Sequence, residues 1–412
     1  MSDIVLDIVE QHAEEAAFLW LLREAALRAP HYSLADLAAL EERIEAHFDG
    51  LRIAGEAGRE ACMAALKTQE AEEIFVAAVL ALESGQPKAV LDWATERPAI
   101  TKGLVSAMGW VEPERAAPMI AQLTKSPVPE LRLVGIAAAA VHRIDPGPPL
   151  RDALQDPYVP LRCRALRAVG ELGRTDLLPT LKTSLEDSDE DTRFWAAWSS
   201  ALCANDRAAV RILQASAEAG TPRALAILVS RLSDARAWIR TLSGNPQRRR
   251  LAIVAAGLLG DPGTIPWLIE EMNHPTTARA AGEAFSAITG ADLEQDRLEG
   301  AMPEGFEGGP TDDPREENVA VDEDEDLFWP KVDAVRRWWT ERSSRFKQGV
   351  RYVLGLPHTK EALVKALRTS NQRRRSAAAL ELRLRGESQV LFEVRAPAAR
   401  QARELSLANF KS

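Results

Sequence analysis

The chain has 412 residues, 46% hydrophobic and only 6% aromatic, with a formal net charge of −10 at pH 7. Ala and Leu dominate the apolar set and β-branched alternation is scarce, so the composition excludes a β-rich fold and points to an all-α one. No run of about 20 apolar residues is present, which excludes a membrane span, and the acidic balance excludes a generic polyanion binder, which needs an excess of Lys and Arg.

The first residues, Met-Ser-Asp-Ile, offer no basic region ahead of an apolar run, so no secretory signal is visible and a cytoplasmic location is expected. Residues 3–29 form a predicted amphipathic helix carrying Ile4, Ile8, Phe18, Leu19 and Leu22 and stopping before Pro30. Ser33-Leu-Ala-Asp36 resembles a capping box and starts a second helix through about Phe48, after which Gly50, Gly55 and Gly58 break the pattern. Residues 1–58 are expected to cap a repeat array; docking of a partner on helix 3–29 is the alternative. Helices at 60–68, 71–83 and 87–94 open the array, placed at residues 59–290.

The clearest unit runs from Asp156 to Asp187. Leu161, Ala165, Leu166, Val169 and Leu172 make one helical stripe, and Leu177, Leu178, Leu181 and Leu185 make a second. The turn Gly173-Arg-Thr-Asp176 joins them into a hairpin. A lone hairpin cannot bury both stripes and needs copies beside it. Those copies align on one basic position: Lys102, Arg132, Arg162, Arg193, Arg223, Arg249 and Arg279, at steps of 30, 30, 31, 30, 26 and 30 residues. Such a period is the signature of a stacked solenoid. The basic slot is expected to form a structural ladder between repeats, each side chain bonding turn carbonyls or an Asp; a ligand-binding row of Arg side chains is the alternative. Asp156 and Asp187, each six residues ahead of a slot, support that reading.

Two basic triplets, Arg248-Arg-Arg250 and Arg373-Arg-Arg375, top helix N-termini, where cations oppose the helix dipole. At least one Arg of each triplet is therefore expected to have an anionic partner; the nearest is the segment 291–330, which holds 15 acids and two bases, and a nucleic-acid phosphate is the rival. Its glycines and prolines forbid long helices, and it is expected to be an acidic, mobile insertion. Phe328-Trp-Pro330 ends the acidity, and a helix with Trp338 and Trp339 follows. In a chain poor in aromatics, Phe328, Trp329, Trp338 and Trp339 are the candidate partner-binding residues; the alternative is that they tie the insertion to the solenoid. Residues 331–412 then carry this helix, a resumed repeat (Arg373 to Gly386) and a closing helix from Ala399 to Phe410.

Catalytic chemistry is not legible. The six histidines are scattered, the three cysteines Cys62, Cys163 and Cys203 sit in helical stripes, and no phosphate loop, nucleophile elbow or metal-ligand spacing occurs. No catalytic, cofactor-binding or metal-ligating residue is assigned, and no cofactor is expected.

In the Asp–Pro turn, the Val-or-Leu–Arg pair, the small-residue first helix and the Gly-x-x-Asp turn, the chain resembles the HEAT-repeat superfamily, with short repeats of the phycobilisome-lyase type. The resemblance covers about residues 70–290 and returns at 360–387. It implies a right-handed α-α superhelix and a non-catalytic protein–protein scaffold. The layout of cap, short repeats, acidic insertion, FWP–WW segment and resumed repeat is similar to bacterial HEAT-repeat proteins associated with type VI secretion effector clusters. That likeness implies an adaptor or chaperone-like accessory whose partner is another protein: a secreted effector, a spike-tip protein or a loading adaptor. Two enzyme readings also follow from such repeats, a DNA glycosylase and a pigment lyase. Asp234 and Trp238 are the only pair loosely suited to the first, and the −9 balance of residues 1–290 argues against a DNA track.

Overall fold

A computed structural model describes residues 4–68, 70–96, 101–306, 308 and 322–407. They are helical throughout, apart from turns, loops and a single two-stranded hairpin. The chain gathers into two compact units. One comprises Met1–Arg28, Tyr32–Ile212 and Ser388–Ser412, and the other Ala29–His31 and Leu213–Glu387. This division falls inside the array expected at 59–290 rather than at its ends.

The first unit opens with α1 (Leu6–Ala26), α2 (Leu34–Ala54) and α3 (Glu56–Ala65). Ser33 and Asp36 form the expected capping box, satisfying two orphan amides of α2. The helix runs on past Phe48, however, and takes in Gly50. The reason is packing: a Cβ at Gly50 would meet the His12 ring at 2.6 Å, so α1 and α2 touch through the missing side chain.

Behind them come α4 (Ala71–Ser84), α5 (Lys88–Glu96), α6 (Thr101–Trp110), α7 (Pro113–Leu123), α8 (Pro129–Val141), α9 (Pro148–Ala153), α10 (Val159–Leu172), α11 (Leu178–Ser184), α12 (Glu190–Cys203) and α13 (Arg207–Glu218), which crosses the boundary between units in sequence. Helices α4, α6, α8, α10 and α12 pack in one row, each against the next. The shorter α7, α9 and α11 pack against α8, α10 and α12. Proline at the first turn of α7, α8, α9, α10 and α11 starts these helices where a missing N–H costs nothing. The predicted stripe of α10 is the buried one: Leu161, Ala165, Leu166 and Val169 are inaccessible. Burial of one such Leu contributes roughly 1.5–3 kcal/mol.

In the second unit α14 (Leu225–Arg231), α15 (Ala235–Ser243), α16 (Arg249–Leu259), α17 (Ile265–Glu271) and α18 (Pro275–Thr289) continue the pattern, with α14, α16 and α18 as the row. Then follow α19 (Val332–Arg342), the hairpin β1 (Tyr352–Val353) and β2 (Leu356–Pro357), α20 (Lys360–Thr369) and α21 (Gln372–Leu384). The resumed repeat does not extend the row: α21 packs on α14, at the row's beginning. The hairpin turns it back. Tyr352 N donates to Gly260 O at 2.7 Å, Leu354 N to Ala287 O at 2.8 Å and Gly355 N to Ile288 O at 3.0 Å, so the hairpin caps the carbonyl ends of α16 and α18. Helix α22 (Ala398–Leu407) belongs to the first unit and packs on α2.

The ends of the insertion are fixed. Gly300 N donates to Trp329 O at 2.7 Å and Lys331 N to Leu298 O at 2.6 Å, and Leu293 and Leu298 are buried. These bonds join the two ends of the insertion, expected as a mobile loop over 291–330, to each other. The expectation for 307 and 309–321 lies outside the described residues.

Candidate functional site

At Arg132 and Arg162 the basic slot reaches an acid of the following repeat, and Asp156 shows how. Its carboxylate accepts from Arg132 of the preceding repeat, and its backbone carbonyl accepts from Arg162 Nη1 at 2.8 Å. Asp187 stands likewise between Arg162, at 3.7 Å, and Arg193, at 2.8 Å. Each of Arg132, Arg162 and Arg193 bonds a carbonyl six residues before itself, filling an acceptor that the preceding helix leaves open. Arg249 lies 3.7 Å from Glu271. Two positions depart from the register. Lys102 turns to Glu24 of α1, at 2.9 Å, and Arg223 stands exposed in a 3-10 turn ahead of α14. A second series, missed in the sequence, joins a second helix to the following repeat's turn 25 positions on: Arg151 to Asp176 and Arg236 to Asp261.

Arg279 departs differently: its partner is Asp322 of the insertion, with Trp329 and Phe306 lying against its guanidinium. The triplets follow suit. Arg250 pairs with Asp324 at 2.7 Å and Glu323 at 2.9 Å, and Arg373 Nη2 donates to Glu323 O at 2.8 Å. Arg375 is fully buried, its pKa brought down to about 10 by desolvation, and it donates to Leu367 O and Gln372 Oε1.

Three of the four aromatic candidates pack against other aromatic rings. Trp329 stacks edge-on with Phe306, Trp338 with Phe285, and Trp339 lies 5.2 Å from Phe346. All three are half-buried; Phe328 alone is exposed, at 48%. Asp234 caps α15 by accepting from Ala237 N at 2.8 Å, and Trp238 is buried with its indole N–H on Glu218 at 2.8 Å. Both side chains thus have structural partners.

A cleft lined by charged side chains lies in the first unit. A cavity of about 330 Å³ is bounded by α1, α6, α8, α10 and the non-helical segment before α22. Arg23, Arg28, Lys102, Arg164, Arg167 and Arg395 line it together with Glu24, Glu171 and Glu393, and Arg23 also pairs with Glu41 at 2.7 Å. Burial would raise the Glu171 carboxyl, but Arg164, Arg167 and Arg143 outweigh it and hold the pKa near 2. Arg164 is pulled below its ordinary value by burial, against the pull of Glu171. Trp110 floors the cavity, with Arg23 5.3 Å from its ring centre.

Across this cleft runs residues 388–397, read through its backbone. Leu391 N donates to Glu171 O at 2.8 Å, Leu391 O accepts from Arg143 Nε, and Arg395 O accepts from Arg23 Nη2 at 2.8 Å. Gln401, fully buried, donates to Val394 O and Ala396 O. His142 fixes the far end. Arg400 always donates, so His142 Nδ1 accepts from it at 3.1 Å and Nε2–H is left to donate to Met108 O at 2.7 Å. Burial, with Arg400 beside it, lowers the His142 pKa and keeps this neutral tautomer. Sequence reading missed the cleft, although Arg23, Glu24, Arg164 and Glu171 interrupt otherwise apolar helix faces and so gave a signal.

Among the described residues no group of three or more His, Cys, Asp or Glu could hold a metal ion, and no helix is long and apolar enough to cross a membrane. A comparison with curated proteins gave no match. Residues 147–244, the hairpins from α9 to α15, match the family of HEAT repeats, in keeping with an all-α, HEAT-like solenoid whose repeats commonly serve as protein-interaction scaffolds.

Proposed function

We propose that the chain is a non-catalytic protein-binding scaffold whose binding face is the basic cleft of the first unit. One observation carries this reading: the cleft already holds a non-helical polypeptide, residues 388–397, through bonds from Arg23 and Arg143 to its backbone carbonyls. Helices that present such donors suit a second unstructured segment, and the excess of cations over carboxylates in the adjoining cavity suits one bearing Asp or Glu. Exposed Phe328 offers a separate apolar contact. The resemblance in layout extends the proposal to a partner class: a type VI effector or spike component held by an adaptor of this kind before export.

The test is calorimetry of the purified full chain against such a purified effector or spike protein. Binding is expected, weakened about tenfold or more when Lys102 and Arg395 at the cavity rim are replaced by Glu, a loss of at least 1.4 kcal/mol. No binding to these proteins, together with tight binding to duplex DNA that falls steeply with salt, would replace the scaffold by the glycosylase reading.

A further inference from the structure

We infer that the chain self-associates through the outer face of α1, as a two-fold pair in which two copies of α1 lie antiparallel. The inner face of α1 is spent on its own unit: Val9, Ala13, Ala16, Leu19 and Trp20 are buried. Its outer face carries an unusual load for solvent. Ile4, Val5, Ile8, Phe18, Leu21 and Leu22 are each between 38% and 55% exposed.

The arrangement of these residues specifies the occupant. Within the helix, Ile8, Gln11, Glu15, Phe18 and Leu22 alternate steps of three and four, the spacing of a coiled-coil seam, and Ile4 continues the apolar pattern in sequence ahead of it. The seam is symmetric about residue 13. Ile4 mirrors Leu22, Val5 mirrors Leu21, Ile8 mirrors Phe18 and Gln11 mirrors Glu15. A second copy running the opposite way therefore meets apolar with apolar at both ends, and in the middle each Gln11 amide can donate to the other copy's Glu15 carboxylate. A parallel pair would set Glu15 against Glu15. Self-complementarity of this kind is what a two-fold interface requires. Ile4 and Val5 precede the helical residues and would extend the seam as a non-helical arm.

The area suffices. At these exposures, and with roughly 200 Å² for a large apolar residue, the six offer on the order of 600 Å² per copy, so a pair buries about 1,200 Å², at the lower end of the range of specific interfaces. A membrane surface is a poorer fit, because Asp7, Glu10 and Glu14 are exposed on the same helix and its Arg23 is buried.

Sedimentation equilibrium of the full chain at micromolar concentrations tests the proposal. A monomer–dimer equilibrium is expected, and Phe18→Glu should weaken it by about tenfold or more while leaving the thermal melt in place, since the side chain is exposed. Gln11→Lys should tighten it by setting a cation opposite the second copy's Glu15, and adding Glu15→Lys should abolish that gain. A chain monomeric at every concentration overturns the proposal. So does a dimer indifferent to Phe18→Glu, a gain from Gln11→Lys that survives Glu15→Lys, or a monomer that uses this face to bind anionic lipid vesicles.

Discussion

The guanidinium of Arg279 lies 4.5 Å from the centre of the Trp329 ring and pairs with the carboxylate of Asp322. Arg279 occupies the repeat's basic slot, so an acid of the insertion stands where a following repeat would have supplied one. The pair is largely buried, and removing one partner strands the other. Arg279→Ala is expected to lower stability by about 3 kcal/mol and to raise amide exchange across 322–330. Arg279→Lys should recover only part, because an ammonium lacks the planar face that stacks on Trp329. Unchanged exchange in 322–330 would show that the insertion is held by other means.

The ladder itself makes a contrast within one register. Arg132 reaches both the Asp156 carboxylate and two carbonyls of its own turn, whereas Arg223 is exposed in a 3-10 turn. Arg132→Ala should cost about 1–2 kcal/mol by urea titration, and Arg223→Ala less than about 0.5 kcal/mol. Equal effects would mean that the slot acts through sequence position alone.

This contrast marks what was legible. The period near 30 residues was readable because from Arg132 to Arg193 it is imposed by the same two needs, burial of the stripes around Leu161 and Leu181 and satisfaction of open carbonyls by Arg132, Arg162 and Arg193. The shortened step of 26 residues between Arg223 and Arg249 already signalled a lost register. The return of α21 to α14 was not readable, because it depends on the 352–357 hairpin capping α16 and α18, a match of backbone groups that leaves no periodic trace. The cleft was hidden for a similar reason: its groups come from α1, α6, α10 and residues 393–397, far apart in the chain.

Of the aromatic candidates, Trp338 and Phe328 should separate packing from recognition. Trp338 lies edge-on to Phe285, 5.5 Å away, while Phe328 is nearly half exposed. Trp338→Ala is expected to cost about 3 kcal/mol and Phe328→Ala less than about 0.5 kcal/mol. Partner binding that falls with Phe328→Ala at unchanged stability would assign Phe328 to recognition; a destabilised Phe328→Ala chain would return it to packing.

Two histidines tie stability to pH. Burial, and then the charge of Arg351, hold the His358 pKa at about 4, with Arg385 adding to the effect and Glu381 opposing it. His142 is lowered in the same direction. Both are neutral in the folded chain and titrate near 6.5 when unfolded. Their contribution is complete above about pH 6.5 and drains away as the pH falls, for His358 toward about 4, with no more than about 3 kcal/mol from that residue. Urea midpoints should therefore fall from pH 7 to pH 5, and His358→Asn should flatten the slope. A midpoint that rises on acidification would contradict both assignments.

The sharpest steric test is Gly260. It ends α16 with φ +74°, a conformation that side chains resist, and a Cβ built there would meet Tyr352 O at 2.1 Å. That oxygen belongs to the residue whose N–H donates to Gly260 O, so the hairpin cannot retreat without losing the bond. Gly260→Ala thus combines backbone strain with a displaced hairpin, and a loss of at least about 2 kcal/mol is expected. Gly305, with φ +74° but nothing within 4 Å, provides the control, since Gly305→Ala suffers the strain without the clash and should lose only about 1 kcal/mol. If the two variants melt together, the close approach of β1 to α16 does not direct the chain back toward α14.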